Sequence, residues 1–163
     1  MSEESSRPLA AAAGIEDIVN RNGNKLFRAV VAITGNKAES EDIVQEVFVK
    51  LIEKGPRFES AEHESAWLIK VAVNLCKNRI RSHWWKKTES LLDTYPAQSS
   101  EESDIIQTVM TLPMKYRTVI YLFYYEGYSA KEIADITNRR ESTVRQQLTR
   151  ARRMLKEFLE GEF

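Results

Sequence analysis

The chain has 163 residues, 42% of them hydrophobic and 29% charged, enough apolar material for one or two small domains with buried cores. It lacks any run of the roughly eighteen apolar residues that a membrane span needs, and its N-terminus has neither the basic flank nor the apolar stretch of a signal peptide. Neither membrane insertion nor secretion is expected of it, so a cytoplasmic protein is expected, and the single cysteine, Cys76, can build neither a disulfide framework nor a zinc site.

The 24 basic side chains balance 24 acidic ones, but the charge is segregated. From Lys70 to Lys87 the cations Lys70, Lys77, Arg79, Arg81, Lys86 and Lys87 occur with no acid, whereas Glu39, Glu41, Asp42 and Glu46 occur with no base among them. Such a chain can offer one face to phosphate and another to a basic partner.

The apolar spacing is helical nearly throughout, so the expected fold is all-α. Residues 1–11, rich in Ser, Glu and Ala, suggest a disordered tail. A first helix is expected from Gly14 or Ile15 to Thr34, with Ile18, Val19, Leu26 and Val30 inward and Gly35 as its stop. Asn36 and Glu39 can cap a second helix through Asp42 to Glu53, ended by Gly55 and Pro56. Its stripe of Ile43, Val44, Val47, Phe48, Leu51 and Ile52 faces a core, and Asp42, Gln45, Glu46 and Glu53 lie opposite. A third helix, from about Ser65 to Ser82, buries Leu68, Val71, Ala72 and Leu75, with Cys76 as a small hydrophobe beside them. On its other side Lys70, Asn74, Lys77, Asn78 and Arg81 fall along one face. Cations of this kind follow phosphate, and an amide can hydrogen-bond a base edge, including that of a base drawn from the stack. Trp84 and Trp85 sit among cations, a composition suited to stacking on bases, although packing over the core is expected of at least one. Phe58, in the preceding loop, is by default a core staple, or else a loop aromatic that wedges against a base.

Residues 88–104 carry Pro96 and several Ser and Glu residues without amphipathic period, as a flexible linker would. A second unit then begins near Ile105, is punctuated by Leu112 and Pro113, and continues in a helix from Met114 to Glu126 that stops at Gly127. Ser129 and Glu132 form a capping box for the next helix, which buries Ile133, Ala134 and Ile136 and ends where Asn138 can turn left-handed. Beyond it Val144, Leu148, Ala151 and Leu155 make one stripe, leaving Arg145, Gln146, Thr149, Arg150 and Arg153 outside it. This is a helix-turn-helix whose second helix presents base-reading and phosphate-binding groups. No glycine-rich phosphate loop, nucleophile and base pair or metal motif occurs, so neither an enzyme nor a cofactor is expected.

The motifs Asp42-Ile-Val-Gln-Glu-Val-Phe48, Trp67 to Asn74, Leu112-Pro113 followed by Arg117, and Glu132 to Arg145 resemble, in order and spacing, those of the extracytoplasmic-function (ECF) sigma factors of bacterial RNA polymerase, in the sigma-70 superfamily. The resemblance implies two small helical domains on a flexible linker: sigma domain two over 12–87 and sigma domain four, the helix-turn-helix, over 105–161. It further implies an alternative sigma factor, of the stress-response kind, that binds core RNA polymerase through Asp42, Gln45 and Glu46. Asn74 would receive a flipped base of the minus-ten element, Phe58 would help to hold the opened strand, and Lys70, Lys77, Asn78 and Arg81 would follow its phosphates. Arg145, Gln146, Thr149 and Arg150, with Ser142 and Arg153 at the flanks, would meet promoter DNA at the minus-thirty-five element. An anti-sigma factor is the further partner implied. Glu141 stands where many members have glycine, and Gln146 with Gln147 replaces a more usual serine and arginine. The alternative is a helix-turn-helix regulator that binds operators without joining polymerase, a reading that leaves the first domain without a role.

Overall fold

The computed structural model describes residues 2–82 and 107–161, the side chains of 2–13 and 80–82 excepted. Every regular element among them is an α-helix, and none is long and apolar enough to cross a membrane. Helix α1 spans Ser2–Thr34 and ends at Gly35, whose φ of 68° and bond to the Val31 carbonyl make the left-handed stop. It starts well before Gly14, where composition had suggested a tail. Ala10 to Ala13 are the strongest helix formers, so the helix has no local reason to end ahead of them. Helix α2, Lys37–Lys54, is capped by Asn36, whose Oδ1 accepts from the Glu39 amide at 3.0 Å, and closes at Gly55 with φ 52°.

Helix α3, Ala61–Ser82, begins earlier than its apolar period, because the Ser60 Oγ accepts from the His63 amide at 3.0 Å and caps the first turn. Leu68, Ala72 and Leu75 are buried as expected, but Val71 is only half-buried while Ile69 and Val73 lie in the core. The stripe is wider than one face because α3 meets α1 and α2 on one side and the second unit on another. A polar staple joins α1 to α3. Glu64, 7% exposed, accepts from Arg21 Nη2 at 3.0 Å and from Asn22 Nδ2 at 2.7 Å, and Ser65 donates to Asn22 Oδ1 at 3.0 Å.

In the second unit residues 107–111 are helical, and α4 (Met114–Tyr124), α5 (Ala130–Thr137) and α6 (Glu141–Gly161) follow. Helix α4 stops at Tyr124 rather than Glu126. The Tyr125 amide still caps the Tyr121 carbonyl, and Gly127, at φ 74°, turns the chain towards α5. Both halves of the Ser129 and Glu132 capping box form, at 3.1 Å each, and Asn138 adopts φ 54°. Val144, Leu148 and Ala151 of α6 are buried against α4 and α5, which sets the angle of the helix-turn-helix.

The two units pack on one another into a continuous apolar core, with α1 against α4 and α3 against α5. Two cations seal the contact at helix C-termini, where free carbonyls and the helix dipole favour positive charge. Arg117 donates to the carbonyl of Ile33 near the end of α1, and Lys77 donates to that of Thr137, the last residue of α5, at 2.5 Å. Lys25 and Glu126 add an ion pair at 3.2 Å. The linker segment 88–104 and the residues Trp84, Trp85, Lys86 and Lys87 lie outside the described residues.

Candidate protein and nucleic-acid interfaces

The first candidate surface is built on α2. Steps of three and four put Glu39, Asp42 and Glu46 on one side of the helix, with Gln45 exposed beside them. Arg79 reaches over from α3 and binds this row: Nη1 donates to Glu39 Oε2 at 2.7 Å, Nη2 donates to Glu46 Oε2 at 3.1 Å, and Asp42 Oδ2 lies 3.9 Å from Nη1. The Glu39 hydrogen bond leads in raising the guanidinium above its ordinary pKa, against the lowering effect of burial, with Glu46 adding to it. Asp42 remains open to solvent and Glu46 partly so. Sequence reasoning named Arg79 among the cations of the acid-free run but missed it as a partner of this row. It lies on the side of α3 opposite Lys70, Asn74 and Lys77, four residues after Leu75, and its signal was a cation continuing the buried stripe of Leu68, Ala72 and Leu75.

The second surface lies on α3, where Lys70, Asn74 and Asn78 are exposed at helical spacing. Lys77 is half-buried, its ammonium engaged by Thr137, and Arg81 is on the same helix with its side chain outside the described ones. Asn74, Lys77 and Asn78 form one wall of a cleft whose other wall is Met114, Thr137 and Arg139 of the second unit. The stripe therefore faces the turn of the helix-turn-helix across a cleft that Lys77 bridges. Phe58 is half-buried and packs edge-on against Trp67, with ring centroids 5.8 Å apart, and against His63 at 5.4 Å. That is the geometry of the core staple.

The third surface is the outer face of α6. Ser142, Arg145, Gln146, Thr149, Arg150 and Arg153 are all exposed on it, whereas Gln147 is 7% exposed and turned inward. Two neighbouring glutamines thus have opposite environments. Glu141 opens the helix, where its charge suits the dipole, and accepts from Arg145 Nη2 at 2.7 Å. Thr149 returns its hydroxyl proton to the Arg145 carbonyl at 3.0 Å, leaving its oxygen outward. Among the described residues no group of His, Cys, Asp and Glu could hold a metal ion.

Comparison with known proteins accounts for both units. Residues 18–86 match the family model Sigma-70 region 2, and residues 103–155 match Sigma-70, region 4. The chain is 32% identical over 166 residues to the ECF RNA polymerase sigma factor SigW of Bacillus subtilis, covering 88% of this chain and 87% of that protein. In fold it is similar to CnrH, solved in complex with the cytosolic domain of CnrY, with a TM-score of 0.67, 22% identity and coverage of 95% of this chain and 96% of the other. It is likewise similar to the sigma factor RpoE solved with the anti-sigma factor NepR from Bartonella quintana, with a TM-score of 0.66, 20% identity and 98% of both chains covered. A two-unit helical fold, with the matched regions falling on its two units and a relative of this identity over nearly the whole length, places the chain in one family: it belongs to the extracytoplasmic-function sigma factors of the sigma-70 superfamily.

Proposed function

We propose that the protein binds core RNA polymerase as an alternative sigma factor and directs it to a specific set of promoters in the cytoplasm. The observation that carries this reading is the presence of three polar faces of two chemistries on one family member: an acidic row on α2, and cation and amide faces on α3 and on α6. Asp42, Gln45 and Glu46 dock a basic surface of the polymerase, since an acidic helix face repels DNA and attracts such a partner. Asn74 holds an unstacked base of the minus-ten strand through its amide, while Lys70, Lys77, Asn78 and Arg81 follow the phosphates and Phe58 supports the loop beside them. Arg145, Gln146, Thr149 and Arg150 enter the major groove of the minus-thirty-five element, flanked by Ser142 and Arg153. Sigma domain two then covers 12–87, the linker 88–104 and sigma domain four 105–161. The protein supplies binding energy and no catalytic group. An anti-sigma factor is a further partner, in keeping with the complexes in which RpoE and CnrH were solved.

Transcription by core polymerase on a promoter library, with and without the protein, tests the reading. Initiation from a defined subset of promoters only when the protein is added is the expected result. Binding to duplex sites that lowers transcription, with no association with core enzyme, would instead establish an operator-binding regulator.

A further inference from the structure

Glu39, Asp42 and Glu46 rise one above another along α2, and like charges so placed repel and spread their side chains. Arg79 opposes this from the neighbouring helix. Its guanidinium is 26% exposed and directs one nitrogen to each of two carboxylates, a fork geometry that a lysine cannot reproduce with a single ammonium. The bridge uses only one oxygen of Glu46, and Asp42, 64% exposed, stays beyond hydrogen-bond range at 3.9 Å. The row keeps acidic acceptors pointing outward in a fixed arrangement.

We infer that Arg79 is a positioning residue of the polymerase-docking face: by holding Glu39 and Glu46 across the gap between α3 and α2, it presents Asp42, Gln45 and Glu46 to a basic protein surface with their geometry already set. The inference rests on the docking role proposed above. Its physical content is preorganisation, because a long acidic side chain that is already ordered loses less freedom when a partner arrives. Arg79 also lies on the helix that carries Asn74 and Lys77, so the same bridge ties the docking row to the strand-facing stripe.

The test is a double-mutant cycle on the full chain, labelled at its N-terminus and titrated with core polymerase. Arg79→Ala should weaken binding roughly tenfold, the effect of mobilising one or two long side chains at an interface. In a Glu46→Gln background the same substitution should cost only about two- to threefold, since the residue it acts through has been neutralised. Arg79→Lys, which keeps the charge and loses the fork, should fall between parent and Arg79→Ala, and it supplies the measurement if Arg79→Ala does not fold. An equal loss in both backgrounds would mean that Arg79 merely supports the fold. Binding as tight as the parent's, or tighter, would mean that it competes with the polymerase, and either result overturns the inference. Glu46→Lys separates the two levels: if it weakens binding while Arg79→Ala does not, only the positioning role fails, and if it binds as the parent does, the docking face itself fails.

Discussion

Lys77 Nζ donates to the Thr137 carbonyl at 2.5 Å across 60 residues of sequence, so a cation of the strand-facing stripe is held by the C-terminal end of α5. An ammonium has three N–H donors, and giving one to that carbonyl restricts where the group can meet a phosphate, so the packed arrangement of the units and the engagement of a minus-ten strand draw on the same group. Lys25 and Glu126 allow the packing to be disturbed without touching either proposed DNA face. The Glu126 side chain is 4% exposed, and its Oε2 lies 3.2 Å from Lys25 in an ion pair that lacks hydrogen-bond geometry. Lys25→Glu would set a second carboxylate against the nearly buried Glu126, weakening the contact by on the order of 2 kcal/mol. A larger radius of gyration by small-angle scattering is expected, with tighter binding of a minus-ten single strand by the free protein. Adding Glu126→Lys should reverse both changes. Scattering that is the same for parent and Lys25→Glu would rule out this ion pair as a clamp.

Arg117 makes the stronger demand on the same interface. It is 4% exposed, and burial lowers its pKa to about 10, which leaves it charged at neutral pH. Its Nη groups donate to the carbonyls of Ile33, Met110 and Leu112, while Nε has no partner. Arg117→Ala would strand buried carbonyls at the end of α1 and ahead of α4, at a cost of about 3 kcal/mol. Urea denaturation should show a loss of unfolding free energy of that size, as a lowered midpoint at unchanged m. A loss below about 0.5 kcal/mol, the scale of an ordinary surface substitution, would mean that water replaces the guanidinium.

The parts of this fold legible from sequence were the local ones. The Asn36 cap, the Ser129 and Glu132 box and the left-handed Asn138 each involve residues within four positions, and each formed with the predicted partner or backbone conformation. The cap at Ser60 escaped notice because position 63 is histidine, not the glutamate of a capping box. Bonds from Arg79 to Glu39 and from Arg117 to Ile33 span 40 and 84 residues, and no periodicity encodes such pairings. The burial of Gln147 next to exposed Gln146 is of the local kind instead. Gln147 falls three residues after Val144 and four before Ala151, at the edge of the buried stripe, whereas Gln146 falls on the far side of α6.

Cys76 is fully buried, and desolvation pushes its thiol from an ordinary 9.0 up to about 12, opposed in part by Arg79 and Arg117. A raised pKa in the folded state means that, above about pH 9, the unfolded chain loses a proton that the folded chain retains. The contribution of this group to stability is therefore complete below that pH and declines as pH rises towards 12. The stability advantage of the parent over Cys76→Ala should narrow across this window in denaturant titrations. Iodoacetamide at pH 8 should label the thiol only on unfolding. Rapid labelling of the native protein would contradict the burial.

On α6 the exposed side chains divide by chemistry into readers and anchors. Gln146 is exposed and can pair both edge groups of an adenine, and Arg145 can donate twice to guanine once it leaves Glu141, which holds it at 2.7 Å. Arg150, exposed and one turn beyond Gln146, is the phosphate contact in the proposed arrangement. Gln146→Ala should relax selection at one position of the minus-thirty-five element, at a cost of roughly 1 to 3 kcal/mol of discrimination. Arg150→Ala should weaken all sites alike and reduce the salt slope by about one unit. Glu141→Gln should release Arg145 and raise affinity for a guanine-containing site without changing the preferred base opposite Gln146. Selection of sites from a randomised duplex pool, repeated at two salt concentrations, separates these outcomes. A changed consensus for Arg150→Ala together with an unchanged one for Gln146→Ala would reverse the assignment, making Arg150 the reader and Gln146 the bystander.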